Sequence, residues 1–151
     1  MLQALDEELA IRGFTFLSLK PTLYVLNLGE KDAARANLAD QFAADGCLKL
    51  GLAWDQGRGV PRNVLRAVAL YRKACEAGNS KGCNNLATMY DDGRGVPLDD
   101  PQAVALYDKA CQMGNQQACT NLALMYRNGE GTAQDYAKAR ATFASACTGQ
   151  H

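Results

Sequence analysis

The sequence contains a single histidine, His151, at its last position. No imidazole therefore stands within the body of the chain, which removes Ser-His-Asp and Cys-His catalysis. Charge of one sign is also missing. Sixteen Lys plus Arg balance sixteen Asp plus Glu, and the basic residues are scattered. A protein that works by gripping nucleic acid usually carries a basic excess, so no nucleic-acid partner is expected. No run of 18 apolar residues occurs, which leaves no membrane span of the helical kind. Asp6, Glu7 and Glu8 precede the first apolar stretch, where a secretory leader would be basic. No Gly-rich loop ends in Gly-Lys-Ser or Gly-Lys-Thr, so the phosphate-cradling device of P-loop nucleotidases is missing. No cofactor motif is visible.

What is present is self-similarity at 36 residues. Cys83-Asn84-Asn85-Leu86-Ala87-Thr88-Met89-Tyr90 matches Cys47-Leu48-Lys49-Leu50-Gly51-Leu52-Ala53-Trp54 before it and Cys119-Thr120-Asn121-Leu122-Ala123-Leu124-Met125-Tyr126 after it. The second halves repeat as well: Ala67, Leu70, Tyr71, Ala74 and Cys75 return as Ala103, Leu106, Tyr107, Ala110 and Cys111. A fixed period of this length marks a stacked repeat, in which each unit buries its apolar face only against its neighbours.

Each unit reads as two antiparallel helices. Apolar residues recur at helical spacing in both halves. Gly93 and Gly95 supply the turn, Asp99 or Asp100 can cap the second helix with Pro101 in its first turn, and Gly114 with Asn115 ends it. The register predicts helix pairs at 47–56/64–77, 83–92/100–113 and 119–128/135–148. A further helix is expected from about Lys31 to Ala44. The fold class is all-α: an α/α solenoid of TPR-like pairs, curved into a superhelix, with the first helices lining its concave side. Residues 1–31 stand apart as a non-repeat cap. The solenoid occupies 32–151, as a partial unit 32–46, repeats 47–82 and 83–118, and a partial repeat 119–151.

Six cysteines admit three readings: disulfides, free core thiols or a metal site. Cys75 and Cys83 are eight apart, as are Cys111 and Cys119, and a chain reversal lies between the members of each pair. That spacing favours two bridges. Zinc requires four converging ligands, whereas the pairs lie a full repeat apart. Cys47 would pair at position 39, which is Ala39, and Cys147 at a position numbered beyond 151. Both are expected to lack a partner within the chain.

The run from Cys83 to Val96, with Ala103, Tyr107, Lys109-Ala110-Cys111 and Gly114, resembles the Sel1-like repeats. More narrowly it is similar to their cysteine-rich branch, exported bacterial proteins with one disulfide per helix pair. That resemblance implies adaptor or scaffold work, and for some members the binding or slow hydrolysis of penicillin-like compounds. A periplasmic or secreted location follows if the bridges form, a cytoplasmic one otherwise. Residues 11–30 resemble a piece of the Obg-related ATPases, with Asn27 and Glu30 matching an Asn-x-x-Glu base-recognition loop. Without a phosphate loop this fragment would hold no nucleotide.

Trp54, Tyr90 and Tyr126 form an aromatic ladder that suits repeat packing better than base stacking. Asp91-Asp92 and Asp99-Asp100 read as turn and cap residues rather than paired catalytic carboxylates. Ser80-Lys81 are adjacent, without the spacing of a Ser-x-x-Lys hydrolase. No catalytic residue is therefore assigned. The candidate contacts are positions of the first helices that vary between units: Leu48, Asn84 and Thr120; Leu52, Thr88 and Leu124; Lys49, Asn85 and Asn121. A row of these facing the concavity would offer a mixed apolar and amide surface for a protein or peptide. The asparagines also admit a structural use, bonding a neighbouring turn. The alternative is a pocket for a cell-wall fragment or β-lactam with weak hydrolysis.

Overall fold

The computed structural model describes residues 30–149, with side chains from residue 42 onward. The chain divides into two compact units, 1–40 and 41–151. Six helices follow in order: α1 Glu30–Gln56, α2 Val64–Glu76, α3 Ser80–Asp92, α4 Asp100–Gln112, α5 Gln116–Asn128 and α6 Tyr136–Thr148. In the second unit α1/α2, α3/α4 and α5/α6 pair and stack into a curved α/α solenoid. The cap expected at residues 1–31 lies outside the described residues, apart from the head of α1.

Local chemistry fixes the helix ends. Asn63, Asn79, Asp99, Asn115 and Asp135 are N-caps, each accepting from the backbone N–H three residues on. A capping side chain satisfies one of the free first-turn amides, a contribution of about 1 kcal/mol. α3 and α5 each end in a left-handed glycine, Gly93 or Gly129.

Two helix boundaries differ from expectation. First helices begin at Ser80 and Gln116, three residues before Cys83 and Cys119, because Asn79 and Asn115 cap the helix that follows rather than closing the one before. The expected break between 44 and 47 is also missing: α1 runs unbroken for 27 residues. Later units turn at Gly78-Asn79 and Gly114-Asn115, with φ of 87° and 90° at the glycines. Phe42-Ala43 holds that register in the first unit. Neither residue favours a left-handed turn or caps a helix, so nothing stops the helix there.

Small residues let the helices approach. Ala67, Ala74, Ala103 and Ala110 are fully buried, and Tyr71 and Tyr107 fill the gaps beside them at 1% exposure. One core cluster joins Leu48, Tyr71, Leu86 and Met89; the next joins Tyr107, Leu122 and Met125 around the disulfides. Cys75–Cys83 and Cys111–Cys119 are bonded across Cα distances of 4.4 and 4.6 Å, tying each second helix to the first helix of the next unit. Cys47 and Cys147 are free.

Candidate binding face of the first helices

An antiparallel helix pair turns one side of each helix inward, so the solvent face of a first helix appears as a stripe at spacings of four and three. In α3 that stripe is Lys81, Asn85, Thr88 and Asp92, exposed or half-buried throughout. The same stripe is Asp45, Lys49, Leu52 and Gln56 in α1, and Gln117, Asn121, Leu124 and Asn128 in α5. Three parallel helices thus present one ribbon of amides and charges flanking a central row of Leu52, Thr88 and Leu124.

Of the nine candidate contacts, six lie on this ribbon: Lys49, Asn85, Asn121, Leu52, Thr88 and Leu124. Leu48 and Asn84 do not; they are 8% and 9% exposed, turned toward the following unit. Asn84 Oδ1 accepts from Asn121 Nδ2 at 3.3 Å, which satisfies an amide that burial would otherwise penalise. Thr120, at the equivalent position of the last pair, is half-buried and donates to Gln116 O at 3.0 Å.

The asparagines bond to side chains, not to a neighbouring turn's backbone. Asn121 also accepts from Gln117 Nε2 at 3.2 Å, and Asn85 hydrogen-bonds the Tyr71 hydroxyl. A primary amide has two donors and two acceptor sites. Asn121 therefore keeps one N–H and one lone pair beyond its bonds to Asn84 and Gln117. Thr88 donates to Asn84 O and lies 3.0 Å from Tyr107 Oη, so its methyl group is the part left to contact a ligand.

A polar seam lies below one end of the ribbon. Asp55 receives Arg94 Nη1 at 3.0 Å and Tyr71 Oη at 3.4 Å. One unit on, Asp91 receives Tyr107 Oη at 3.3 Å. Burial, reinforced by the neighbouring carboxylates, raises both phenols to about 12. Sequence reasoning missed this seam, although a signal was present: Asp55/Asp91/Arg127 and Tyr71/Tyr107/Phe143 change together along the register. It also missed the outer rows of the ribbon, Asp45/Lys81/Gln117 and Gln56/Asp92/Asn128, which the four-three spacing from Lys49 would have found.

The aromatic ladder is spent largely inside the molecule. Trp54 carries Arg66 over its ring at 4.6 Å, and Tyr90 Oη accepts from Arg72 Nη2 at 2.9 Å. Tyr126 lines a groove of about 320 Å³ between α4, α5 and α6, beneath Lys138. Ser80 is half-buried and Lys81 exposed. Among the described residues no cluster of three or more His, Cys, Asp or Glu is placed to hold a metal, and no helix is long and apolar enough to cross a membrane.

The Sel1 repeat family matches residues 44–79, 80–115 and 116–151. Three solved structures are similar. A protective antigen present in uropathogenic Escherichia coli strains, displaying an SLR fold, is 31% identical with a TM-score of 0.69; the match covers 73% of this chain but 24% of that protein. A Sel1 repeat protein from Oxalobacter formigenes is 25% identical, TM-score 0.64, over 78% of this chain and 90% of that one. Helicobacter pylori cysteine rich protein B is 27% identical, TM-score 0.62, over 83% and 93%. No curated protein matches the chain. The resemblance of residues 11–30 to Obg-related ATPases has no counterpart among these relatives. That segment lies outside the described residues except for Glu30, which is the first residue of α1 rather than part of a loop.

Proposed function

Because the chain belongs to the Sel1 repeat family, whose helix-pair arrays generally serve protein–protein interaction, we propose that it is a binding module for a protein or an extended peptide, taken on the ribbon of its first helices. The observation that carries this reading is the threefold recurrence of one solvent-facing stripe whose chemistry differs between units while the packing positions around it stay alike. Asn85 and Asn121 offer amide groups that match a peptide backbone, and Leu52 and Leu124 offer shallow apolar contacts beside them. The zero net charge leaves such contacts, rather than long-range attraction, to set affinity. An elongated ribbon suits a chain-like ligand, whereas small molecules generally occupy a more closed concavity. Two disulfides fit work in an oxidising compartment, and we assign the protein to the periplasm or the exterior.

The test is crosslinked capture from the native compartment followed by titration of the captured partner, set beside a titration with a penicillin. Asn85→Ala combined with Asn121→Ala should weaken partner binding at least tenfold while helicity and melting cooperativity are retained. Unchanged affinity would discard the ribbon as the site. Saturable penicillin binding without any protein partner would reverse the reading in favour of a small-molecule pocket.

A further inference from the structure

The two ends of the solenoid expose what its middle buries. Leu86 and Leu122 are 3% and 2% exposed because each packs against the second helix of the preceding unit. Leu50 has the same register in α1 and is 46% exposed. At the other end Phe143 and Ala146 are half-buried and Cys147 is exposed, where Tyr107 and Ala110 are sealed at 1% and 0%. A cavity of about 440 Å³ lies over this end, lined by α5 and α6. One end is thus the front half of a repeat interface and the other the back half.

The free cysteines carry the same complementarity. Cys147 holds the register of Cys75 and Cys111, the second-helix members of the two bridges; Cys47 holds that of Cys83 and Cys119, the first-helix members. We infer that a second copy of this chain stacks head to tail on the first, its α1 seated on α5 and α6, with Cys147 of one copy bonded to Cys47 of the other. The register predicts a polar contact as well. Asn84 meets the residue 37 positions on, Asn121. By the same rule Thr120 faces Lys49 of the second copy, and its hydroxyl, already donating to Gln116 O, accepts from the ammonium. Closing the junction oxidises two thiols to one disulfide. The two electrons and two protons pass to a small disulfide such as oxidised glutathione, which leaves as two thiols. Each copy keeps a free end of either kind, so such a heterologous contact propagates into open chains unless its rotation closes a ring.

The full chain, incubated in a glutathione redox buffer, is read by non-reducing gel, sedimentation and mass spectrometry of linked peptides. Expected are a ladder of oligomers and a Cys47–Cys147 peptide joining two copies. Cys47→Ser and Cys147→Ser should each stay monomeric, while an equal mixture of the two gives one dimer and no higher band. Leu50→Glu, an exposed change that leaves both thiols in place, should abolish the ladder. The inference is overturned if either single variant dimerises through like cysteines, if Cys147 bonds within its own chain, or if the protein stays monomeric with both thiols free.

Discussion

Tyr107 donates its hydroxyl to Asp91 Oδ2 at 3.3 Å, and Tyr71 stands in the same relation to Asp55 at 3.4 Å. The two pairs share a register and differ in their third member. Arg94 neutralises Asp55 at 3.0 Å. The corresponding residue beside Asp91 is Glu130. Burial raises the Asp91 carboxyl above its ordinary value, and Asp92, Glu130 and Asp100 add to that against the opposing Tyr107 hydrogen bond. In the last pair Arg127 and Phe143 remove both partners at once.

Asp91 should therefore make stability fall as pH rises. A carboxyl whose folded pKa lies above its unfolded value near 3.8 holds its proton more tightly in the native state. Its favourable contribution is complete below that unfolded value and is lost as pH climbs through the raised one. Asp91→Asn keeps an acceptor for Tyr107 and removes the charge. At pH 7 it should be more stable than the parent by about 0.5 kcal/mol, the scale of a screened surface pair, with the difference vanishing toward pH 3. Urea unfolding across that range checks this; a variant less stable at pH 7 refutes it.

Glu130→Arg should recreate the Asp55–Arg94 pair one unit later. It replaces a repulsion with an attraction across a partly exposed turn, for a gain of about 0.5–1 kcal/mol at low salt that shrinks in 1 M NaCl. Calorimetry at the two ionic strengths measures it. A gain that persists in high salt would mean packing, not charge, was responsible.

The 36-residue register carried the helix pairing and the placement of the bridging cysteines, because both are set by contacts that every unit repeats. Boundaries were harder to read. Gly114-Asn115 serves as stop and start at once, and sequence alone does not say to which helix the asparagine belongs. The absence of that dipeptide at Phe42-Ala43 was the visible sign that α1 continues. Among the candidate contacts, Leu48 and Asn84 were indistinguishable from Lys49 and Asn85 by type. Which flank of a first helix meets the next unit depends on the rotation between pairs, a tertiary quantity with no local signature.

Each bridge joins two units, so removing one should weaken a junction rather than a helix. Cys75→Ala with Cys83→Ala, and separately Cys111→Ala with Cys119→Ala, should each lower stability by about 2 kcal/mol, the value for so small a ring. Alanine is preferred to serine because Cys83 and Cys119 are wholly buried and a hydroxyl there would need a partner. Denaturant unfolding with and without a reductant gives the comparison. Reductant should destabilise the parent by more than either variant, since one bridge remains in each variant.

Gly59 and Gly131 occupy one register position and should answer alanine differently. Both are left-handed, with φ of 74° and 67°, so a Cβ brings backbone strain of about 1 kcal/mol at either site. Around Gly59 a Cβ would meet nothing within 4 Å. At Gly131 it would collide with the Asp100 carbonyl and lie 2.7 Å from Pro101 N, both main-chain groups in the first turn of α4. Backbone there cannot yield without moving the helix start that Asp99 caps, so the turn after α5 must lift off the preceding unit. Overpacking of this kind adds about 1–3 kcal/mol to the strain. Gly59→Ala should thus lose about 1 kcal/mol and Gly131→Ala about 2–4 kcal/mol, with faster amide exchange in the first turn of α4 for Gly131→Ala alone. Equal losses would show that only the turn's own conformation matters and that the contact between units contributes nothing at this position.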